Sequence, residues 1–312
     1  MAQKSSIGQR AVRTNQYVGS FWGRKSVRRI VTATVCYAIL VGIGLLICMP
    51  ISWMLGAALK GDKETIFTIP PTWIPTTSWH WENFYRSMVI DAYPLWRYTL
   101  NTLFLVGANM LGALLSCSVV AYPFARLRFP GQNFLFSVMI ATMLIPYPVV
   151  LVPQFLLYKT IGWYGTYLPL IVPSFTGGAY LTFLVRQYMR SIPAELDDAS
   201  RIDGCNYYQT FLRLILPLSG PVLVVVVIFT FLWTWNDFMG PLIYLSRQEQ
   251  FTLAVGLQYF KEQVGRYLGT QYSIKWNLMM AATLISIFPV LILYFAVQEK
   301  LIGGIASVGL KG

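Results

Sequence analysis

The sequence is short of histidine, cysteine and charge. Its 312 residues include one His and four Cys, and only 12% of them are Asp, Glu, Lys or Arg. A soluble domain carries about 25% charged residues. This composition therefore excludes an ordinary soluble enzyme, a disordered chain and a disulfide-bonded secreted scaffold. Since 56% of the residues are hydrophobic, the chain is predicted to be an integral membrane protein.

Motifs for catalysis are scarce as well. His80 is the only histidine, and the sequence has no H-E-x-x-H, no G-x-S-x-G and no Cys/His zinc spacing. Residues 19–26 resemble a phosphate-binding loop but have three residues between the glycines, where the motif needs four. We expect a non-catalytic chain that binds no cofactor or metal.

Apolar stretches are what the sequence has in abundance. Six segments contain no Asp, Glu, Lys or Arg, namely 30–59, 98–125, 129–158, 160–185, 214–236 and 276–298. Each is long enough to cross the membrane once as a helix, which takes about 20 residues. Prolines in the third and fourth segments predict kinked or broken helices there. The predicted fold is all-α, with six transmembrane helices.

Basic residues predict the orientation. Segments 1–29, 126–128, 186–213 and 299–312 share one side and hold 15 Lys and Arg, against 9 on the other side. By the positive-inside rule both termini are cytoplasmic. The excess positive charge is interpreted as contact with the lipid bilayer, not with nucleic acid. The predicted regions are a basic tail (1–29), a first transmembrane helix (30–53), an outer loop (54–97), a five-helix core (98–298) and a C-terminal tail (299–312).

The cytoplasmic loop 186–213 is predicted to contain a helical hairpin. Pro193 suits the opening of a helix, and Leu196, Ala199 and Ile202 form one apolar stripe. Gly204 is a candidate helix stop, after which a second helix starts near Asn206 and enters the fifth span. The acids Glu195, Asp197, Asp198 and Asp203 suit a protein partner better than anionic lipid. The alternative is a helix that lies at the lipid headgroups.

The same loop resembles the E-A-A–G–I-x-L-P loop of bacterial ABC importer permeases. The matching residues, at the family's spacing, are Asp198, Ala199, Ser200, Gly204, Leu214, Leu216 and Pro217, with Asp203 in the family's D-G pair. Other segments resemble the maltose-type branch of the family. They are residues 82–85, 101–102, 144–146 with Pro153, 235–238 with 241–242, 288–289 and 309–312.

This resemblance implies a type I permease subunit of an ATP-driven sugar importer in the bacterial inner membrane. It implies a second permease that completes the pathway, a cytoplasmic ATPase dimer that uses ATP and Mg, and an extracytoplasmic sugar-binding protein. The ATPase would bind residues 192–217. The coupling residues implied are Pro193, Glu195, Leu196, Asp197, Asp198, Ala199, Ser200, Ile202, Asp203, Gly204, Leu214, Leu216 and Pro217.

Candidates for contact with the solute are polar and aromatic residues near the third and fifth spans: Tyr147, Gln154, Trp235, Asn236 and Asp237. The alternative is that they make interhelical hydrogen bonds and an interfacial aromatic belt. A self-sufficient carrier or channel for a neutral solute is a second hypothesis for the whole chain. It is disfavoured because the six segments lack the ionisable groups on which ion-coupled carriers usually depend.

Overall fold

Apolar runs form the longest helices of the protein. The computed structural model describes residues 6–267 and 274–309, and every regular element in these two ranges is helical. Four segments are long and apolar enough to cross a membrane: Val27–Ala58, Leu95–Arg126, Leu168–Ser191 and Trp276–Gln298. Two bent helix pairs also qualify if each counts as one span. The predicted all-α membrane fold is confirmed, with four to six candidate spans.

Fourteen α-helices follow one another within the described ranges. They are α1 (Ser6–Ala58), α2 (Glu82–Val89), α3 (Leu95–Arg126), α4 (Gln132–Thr142), α5 (Tyr147–Thr160), α6 (Leu168–Ile171), α7 (Ala179–Ser191), α8 (Glu195–Ile202), α9 (Tyr207–Thr210), α10 (Leu216–Leu218), α11 (Gly220–Asn236), α12 (Met239–Tyr244), α13 (Leu253–Tyr267) and α14 (Trp276–Gly309). Two 3-10 turns (Val172–Thr176 and Gln248–Gln250) and a π turn (Phe211–Ile215) lie between them.

Proline breaks the spans at three places. Helices α4 and α5 meet at 97° just before Tyr147, and the 3-10 turn Val172–Thr176 separates α6 from α7, so the breaks predicted in the third and fourth spans are confirmed. The fifth predicted span, segment 214–236, is bent as well. Tyr207–Leu218 lies at 74° to α11, because Pro221 has no N–H to donate to the carbonyl of Pro217.

The predicted region boundaries fall inside helices. Helix α1 runs without interruption from Ser6 to Ala58, so it crosses the predicted limits at residues 29 and 53. The predicted outer loop 54–97 contains the whole of α2 and the start of α3. The C-terminal tail 299–312 is helical to Gly309, and its last three residues lie outside the described ranges, as do residues 1–5.

Helix α3 lies at the centre of the packing. One apolar cluster joins it to α11, α13 and α14 through residues such as Tyr98, Phe231 and Phe260. A second cluster joins it to α7 and the π turn through Cys117, Met189 and Ile215. At Gly112 an added Cβ would lie 2.3 Å from Ser174 Oγ, so only glycine permits this close approach. The two clusters place α3 against most of the bundle along its whole length.

Polar residues connect the end of α1 to α2 and α14. Lys60 and Asn83 are each 1% exposed, and Asn277 is 2% exposed. Asn83 Nδ2 donates to the carbonyls of Ala58 (2.8 Å) and Lys60 (2.9 Å), and Asn277 Nδ2 donates to Asp62 Oδ1 (2.8 Å). Lys60, Asp62, Asn83 and Asn277 are called the Lys60 cluster below. Their buried polar groups have partners, as a buried polar group requires.

Candidate functional site

The loop between α7 and α11 forms a hairpin, which we call the acidic hairpin (residues 192–217). Its first arm is α8, whose first turn carries Glu195, Asp197 and Asp198. Carboxylates there stabilise the helix because its N-terminal end carries a partial positive charge. The observed helix begins at Glu195, two residues after Pro193, which lies just outside it.

Gly204 ends the first arm in a left-handed conformation. Its φ is +79°, a region where glycine avoids the steric penalty of a Cβ. The Gly204 N–H donates to the Arg201 carbonyl (3.0 Å), and the Cys205 N–H donates to the Ser200 carbonyl (2.9 Å). These two bonds are those of the Schellman motif. The predicted stop at Gly204 therefore has a defined structural basis.

The second arm begins at a capping box. Asn206 Oδ1 accepts from the Gln209 N–H (2.9 Å), and Gln209 Oε1 accepts from the Asn206 N–H (2.9 Å), so two free amides at the start of α9 are satisfied. The hydroxyls of Ser200 and Thr210 share a hydrogen bond of 2.9 Å between the arms. Leu214 and Leu216, further along this arm, are half-buried against the cluster around Ile215. Pro217 follows them in α10 and is exposed.

The apolar stripe of α8 faces away from the protein. Ile202 is 86% exposed and Leu196 is 37% exposed, and Ala199 between them is exposed as well. Glu195, Asp198 and Asp203 are also exposed around the stripe. Tyr208 on the second arm adds a further apolar side chain, 80% exposed. An exposed apolar patch with a polar rim is typical of a surface that binds another protein.

Asp197 differs from the other acids of the hairpin. Its carboxylate Oδ2 lies 3.2 Å from Arg126 Nη1, and the two side chains are only 15% and 7% exposed. Arg126 Nη2 also donates to the carbonyl of Ile192 (2.8 Å). Asp197 therefore holds the hairpin to α3. Arg126 is absent from the sequence-based candidates because its partner comes from a different helix, and no local spacing connects the two.

A cavity of about 850 Å³ opens between α3 and α11. Its lining consists of Leu105, Asn109, Tyr147, Leu170, Leu232, Trp233, Thr234, Asn236, Asp237 and Pro241. Three of the five solute-path candidates, Tyr147, Asn236 and Asp237, are brought together here. Trp235 is instead 5% exposed in the apolar cluster around Phe231. Gln154 Nε2 donates to the Tyr158 hydroxyl (2.8 Å) and does not line the cavity.

Seven of the ten residues that line the cavity are absent from the sequence-based candidates, and Asn109 and Thr234 are two of these seven. Asn109 Nδ2 donates to Thr234 Oγ1 (3.2 Å), while the buried Asn109 Oδ1 has no hydrogen-bond partner in the described part of the chain. Because a buried carbonyl without a partner is costly, this oxygen is an unsatisfied acceptor in the cavity wall. The available signal is that Asn109 is the only asparagine in segment 98–125 after its first turn.

This fold, with four to six candidate spans, a hairpin exposed at one end of α3 and a cavity further along it, is typical of a multi-pass membrane protein. Residues 108–305 match the family model described as binding-protein-dependent transport system inner membrane component. The match covers more than half of the chain, so the chain belongs to this family. The resemblance predicted from the hairpin is confirmed.

Curated relatives extend the similarity beyond this region. The probable ABC transporter permease protein YurM of Bacillus subtilis is 30% identical over 85% of this chain and 84% of its own length. The arabinooligosaccharides transport system permease protein AraQ of Halalkalibacterium halodurans is 33% identical over 70% and 75%. The galactooligosaccharides transport system permease protein GanQ of Bacillus subtilis is 30% identical over 92% and 98%.

A solved structure supports the fold. It is that of a bacterial ABC transporter involved in the import of the acidic polysaccharide alginate, and one of its chains matches with a TM-score of 0.74. The match covers 85% of this chain and 95% of that chain, at 22% sequence identity. The helical architecture described above is thus shared with a chain of this ABC transporter.

Proposed function

We propose that this chain is a non-catalytic permease subunit of an ATP-driven importer for a sugar or short oligosaccharide. A second permease completes the translocation pathway, and an extracytoplasmic binding protein delivers the sugar. ATP and Mg act on a separate ATPase dimer. The similarity to permeases named for arabino- and galactooligosaccharides supports the substrate class. The same relatives disfavour a self-sufficient carrier.

The observation that carries this proposal is the outward-facing stripe of α8. Ile202 is 86% exposed, and none of Leu196, Ala199 and Ile202 belongs to an apolar cluster among the described residues. The exposed apolar surface of the stripe therefore gains free energy when another surface covers it. In the proposed topology the acidic hairpin and both termini are cytoplasmic. The hairpin therefore lies on the side of the membrane where a cytoplasmic ATPase can bind it. The exposed acids around the stripe select a partner with basic residues.

The proposed mechanism is alternating access. Inward-open and outward-open states of such a protein differ by a few kcal/mol, and a partner shifts the balance only by binding one state better than the other. A complete switch from 1:99 to 99:1 takes about 5.5 kcal/mol. We assign this energy to closure of the ATPase dimer upon the hairpin, which then changes the access to the cavity.

The size and lining of the cavity are suited to a neutral solute that is rich in hydroxyl groups. Its volume of about 850 Å³ lies within the range of small-molecule sites, about 300–1,000 Å³. Asn109, Thr234 and Asn236 offer donors and acceptors, and Tyr147 and Trp233 offer aromatic surface. Asp237 already accepts a hydrogen bond from the Gly240 N–H (3.0 Å). We propose that the sugar passes through this space.

Charge reversal at Asp198 tests the proposal. Its side chain is 73% exposed, so Asp198→Arg changes the hairpin surface without a change in packing. In membranes that contain the ATPase, the second permease and the binding protein, we expect the variant to insert normally, to lose the ATPase on purification and to take up no sugar. Asp91→Arg, an exposed acid in the loop after α2, is the control and is expected to retain the ATPase.

Two results would refute the proposal. One is normal ATPase association and uptake in the Asp198→Arg protein. The other is rapid solute flux by the purified chain alone in liposomes, without ATP or partners, which would establish the carrier hypothesis instead.

A further inference from the structure

The side chain of Arg126 connects the end of α3 to α8 and to the residue that follows α7. It is the last residue of α3, and its guanidinium contacts Asp197 in the first turn of α8 (3.2 Å). The same group donates to the carbonyl of Ile192 (2.8 Å), the residue that follows α7. The planar guanidinium makes these two contacts at once because its donors point in fixed directions.

Little else attaches α8 to the bundle. None of its residues is buried, and the Ser200–Thr210 hydrogen bond connects α8 only to the other arm of the hairpin. Among the residues with described side chains, Arg126–Asp197 is the only salt bridge between the hairpin and another helix. Arg201–Asp198 lies within α8, at 3.9 Å and largely exposed.

Helix α3 extends from this contact to the cavity. Arg126 is its last residue, while Asn109 and Leu105 line the cavity. At 1.5 Å per residue, Asn109 lies about 25 Å along the helix from Arg126. Between them α3 packs against α7, the π turn and α11 through the cluster around Cys117 and Val226, so it moves as part of a packed unit.

We propose that Arg126 is a positioning residue that makes α8 and α3 move together. A displacement of the hairpin by its bound partner would then be passed along α3 to the cavity wall. This inference rests on the proposed function and identifies the contact through which the ATPase acts on the permease. The pair is suited to this role because its two side chains are largely shielded from solvent, at 7% and 15% exposed. An exposed ion pair is weak and screened, whereas removal of one member of a buried pair leaves the other charge uncompensated.

The test compares Arg126→Met with Arg128→Met in the full complex, reconstituted in liposomes with ATPase, second permease and sugar-loaded binding protein. Arg128 is exposed two residues further along and forms no salt bridge with any side chain that the structure describes. We expect Arg126→Met to retain the ATPase, to lose at least about tenfold in uptake, the size of a typical coupling energy, and to lose stimulation of ATP hydrolysis by the binding protein. Arg128→Met should change uptake by less than about twofold.

Exchange of the charges of Arg126 and Asp197 distinguishes a positioning role of the ion pair from a general loss of structure. Arg126→Asp and Asp197→Arg should each fail in uptake, and the double variant should recover a substantial part of it, because the ion pair is restored with its members exchanged. Arg126→Lys keeps the charge but not both contacts, so it should fall between wild type and Arg126→Met. If Arg126→Met does not insert into the membrane, uptake by the charge-exchange variant and by Arg126→Lys tests the positioning role instead.

Three results would overturn the inference. Wild-type uptake by Arg126→Met would show that the pair transmits nothing. Loss of the ATPase in parallel with uptake would show that Arg126 only shapes the docking surface. Failure of both the charge exchange and Arg126→Lys to recover any uptake would show that the pair has no positioning role. Absence of the ATPase from the unaltered complex would refute the proposed function, and this inference with it.

Discussion

The acidic hairpin and the Lys60 cluster use polar and apolar residues in opposite ways. In the hairpin, Ile202 is 86% exposed, and the arms are held mainly by hydrogen bonds at their ends. In the Lys60 cluster, Lys60 and Asn83 are almost fully buried and are hydrogen-bonded to the backbone of neighbouring segments. The cluster is complete within this chain, whereas the hairpin leaves apolar surface uncovered.

This difference separates two kinds of mutational effect. A substitution on the exposed side of the hairpin removes few contacts within the chain, so stability should change little while transport is lost. A substitution in the Lys60 cluster leaves buried polar groups without partners, so stability should fall. The comparison would fail if both regions responded in the same way.

The largest effect is expected for Gly204→Val. No atom of the described residues lies within 4 Å of a Cβ added at Gly204, so space is available. Its φ of +79°, however, is strained for any residue with a side chain and most of all for a β-branched one. The hairpin should lose its Schellman turn and its docking geometry. We expect uptake to be abolished while the chain still inserts, as measured by sugar uptake and by the amount of protein in the membrane.

Gly204→Asn is the matched control, because asparagine tolerates the left-handed conformation. It should retain most of the uptake. Wild-type transport by Gly204→Val would show that uptake does not require the left-handed turn at Gly204. Equal loss of uptake in both variants would show that the backbone conformation of residue 204 does not cause the loss.

A smaller effect, on stability instead of transport, is expected for Asn83→Leu. The carbonyls of Ala58 and Lys60 each accept a hydrogen bond from Asn83 Nδ2, and the substitution removes both bonds. The Lys60 carbonyl still accepts from Asn277 Nδ2 (3.2 Å), so the Ala58 carbonyl is the group that loses its side-chain partner. The free energy of unfolding should fall by about 1–3 kcal/mol, the penalty for an unsatisfied buried polar group. Thermal unfolding of the purified chain measures this change.

Tyr85→Leu on the same helix provides the reference. Tyr85 is 71% exposed, so its substitution should change the unfolding free energy by less than about 0.5 kcal/mol. Uptake per correctly inserted molecule should stay near wild type in Asn83→Leu. A variant of unchanged stability that no longer transports would contradict the division between the two regions.

The hairpin was predictable because its signals are local. The acids in the first turn of α8 and the glycine after its last turn interact with backbone groups only a few residues away. Their spacing in the sequence is therefore enough to predict these contacts. Arg126 is the opposite case. Its role depends on Asp197 in a different helix, and a basic residue at the end of a span is equally typical of contact with lipid headgroups.

The cavity lay beyond sequence reasoning for a related reason. Thr234 lines the cavity, while its neighbour Trp235 stacks on Phe231 with ring centroids 5.6 Å apart. Helix α11 is apolar around nearly its whole circumference, so no periodic pattern distinguishes its cavity face from its core face. Only the packing of α3 against α11 decides which face each residue joins.

The smallest effect concerns acid sensitivity beside the Lys60 cluster. Partial burial of Glu64 favours its protonation, but hydrogen bonds from Thr77 and Thr76 outweigh this and lower its pKa from the ordinary 4.5 to about 2. A carboxyl group with a lowered pKa in the folded state stabilises the fold above the unfolded pKa. That contribution is lost as the pH falls from about 4.5 through about 2.

Glu64→Gln tests this contribution. The variant should be less stable than wild type at pH 7, by less than about 1 kcal/mol because the carboxylate is near the surface, and the difference should shrink below pH 4.5. Thermal unfolding of both proteins between pH 7 and pH 3 measures it, with Asp91→Asn as an exposed control. A difference that stays constant over this range would mean that ionised Glu64 does not stabilise the segment. The stability of this region would then depend on the hydrogen bonds and ion pairs of the Lys60 cluster, and Asn83→Leu removes two of these hydrogen bonds.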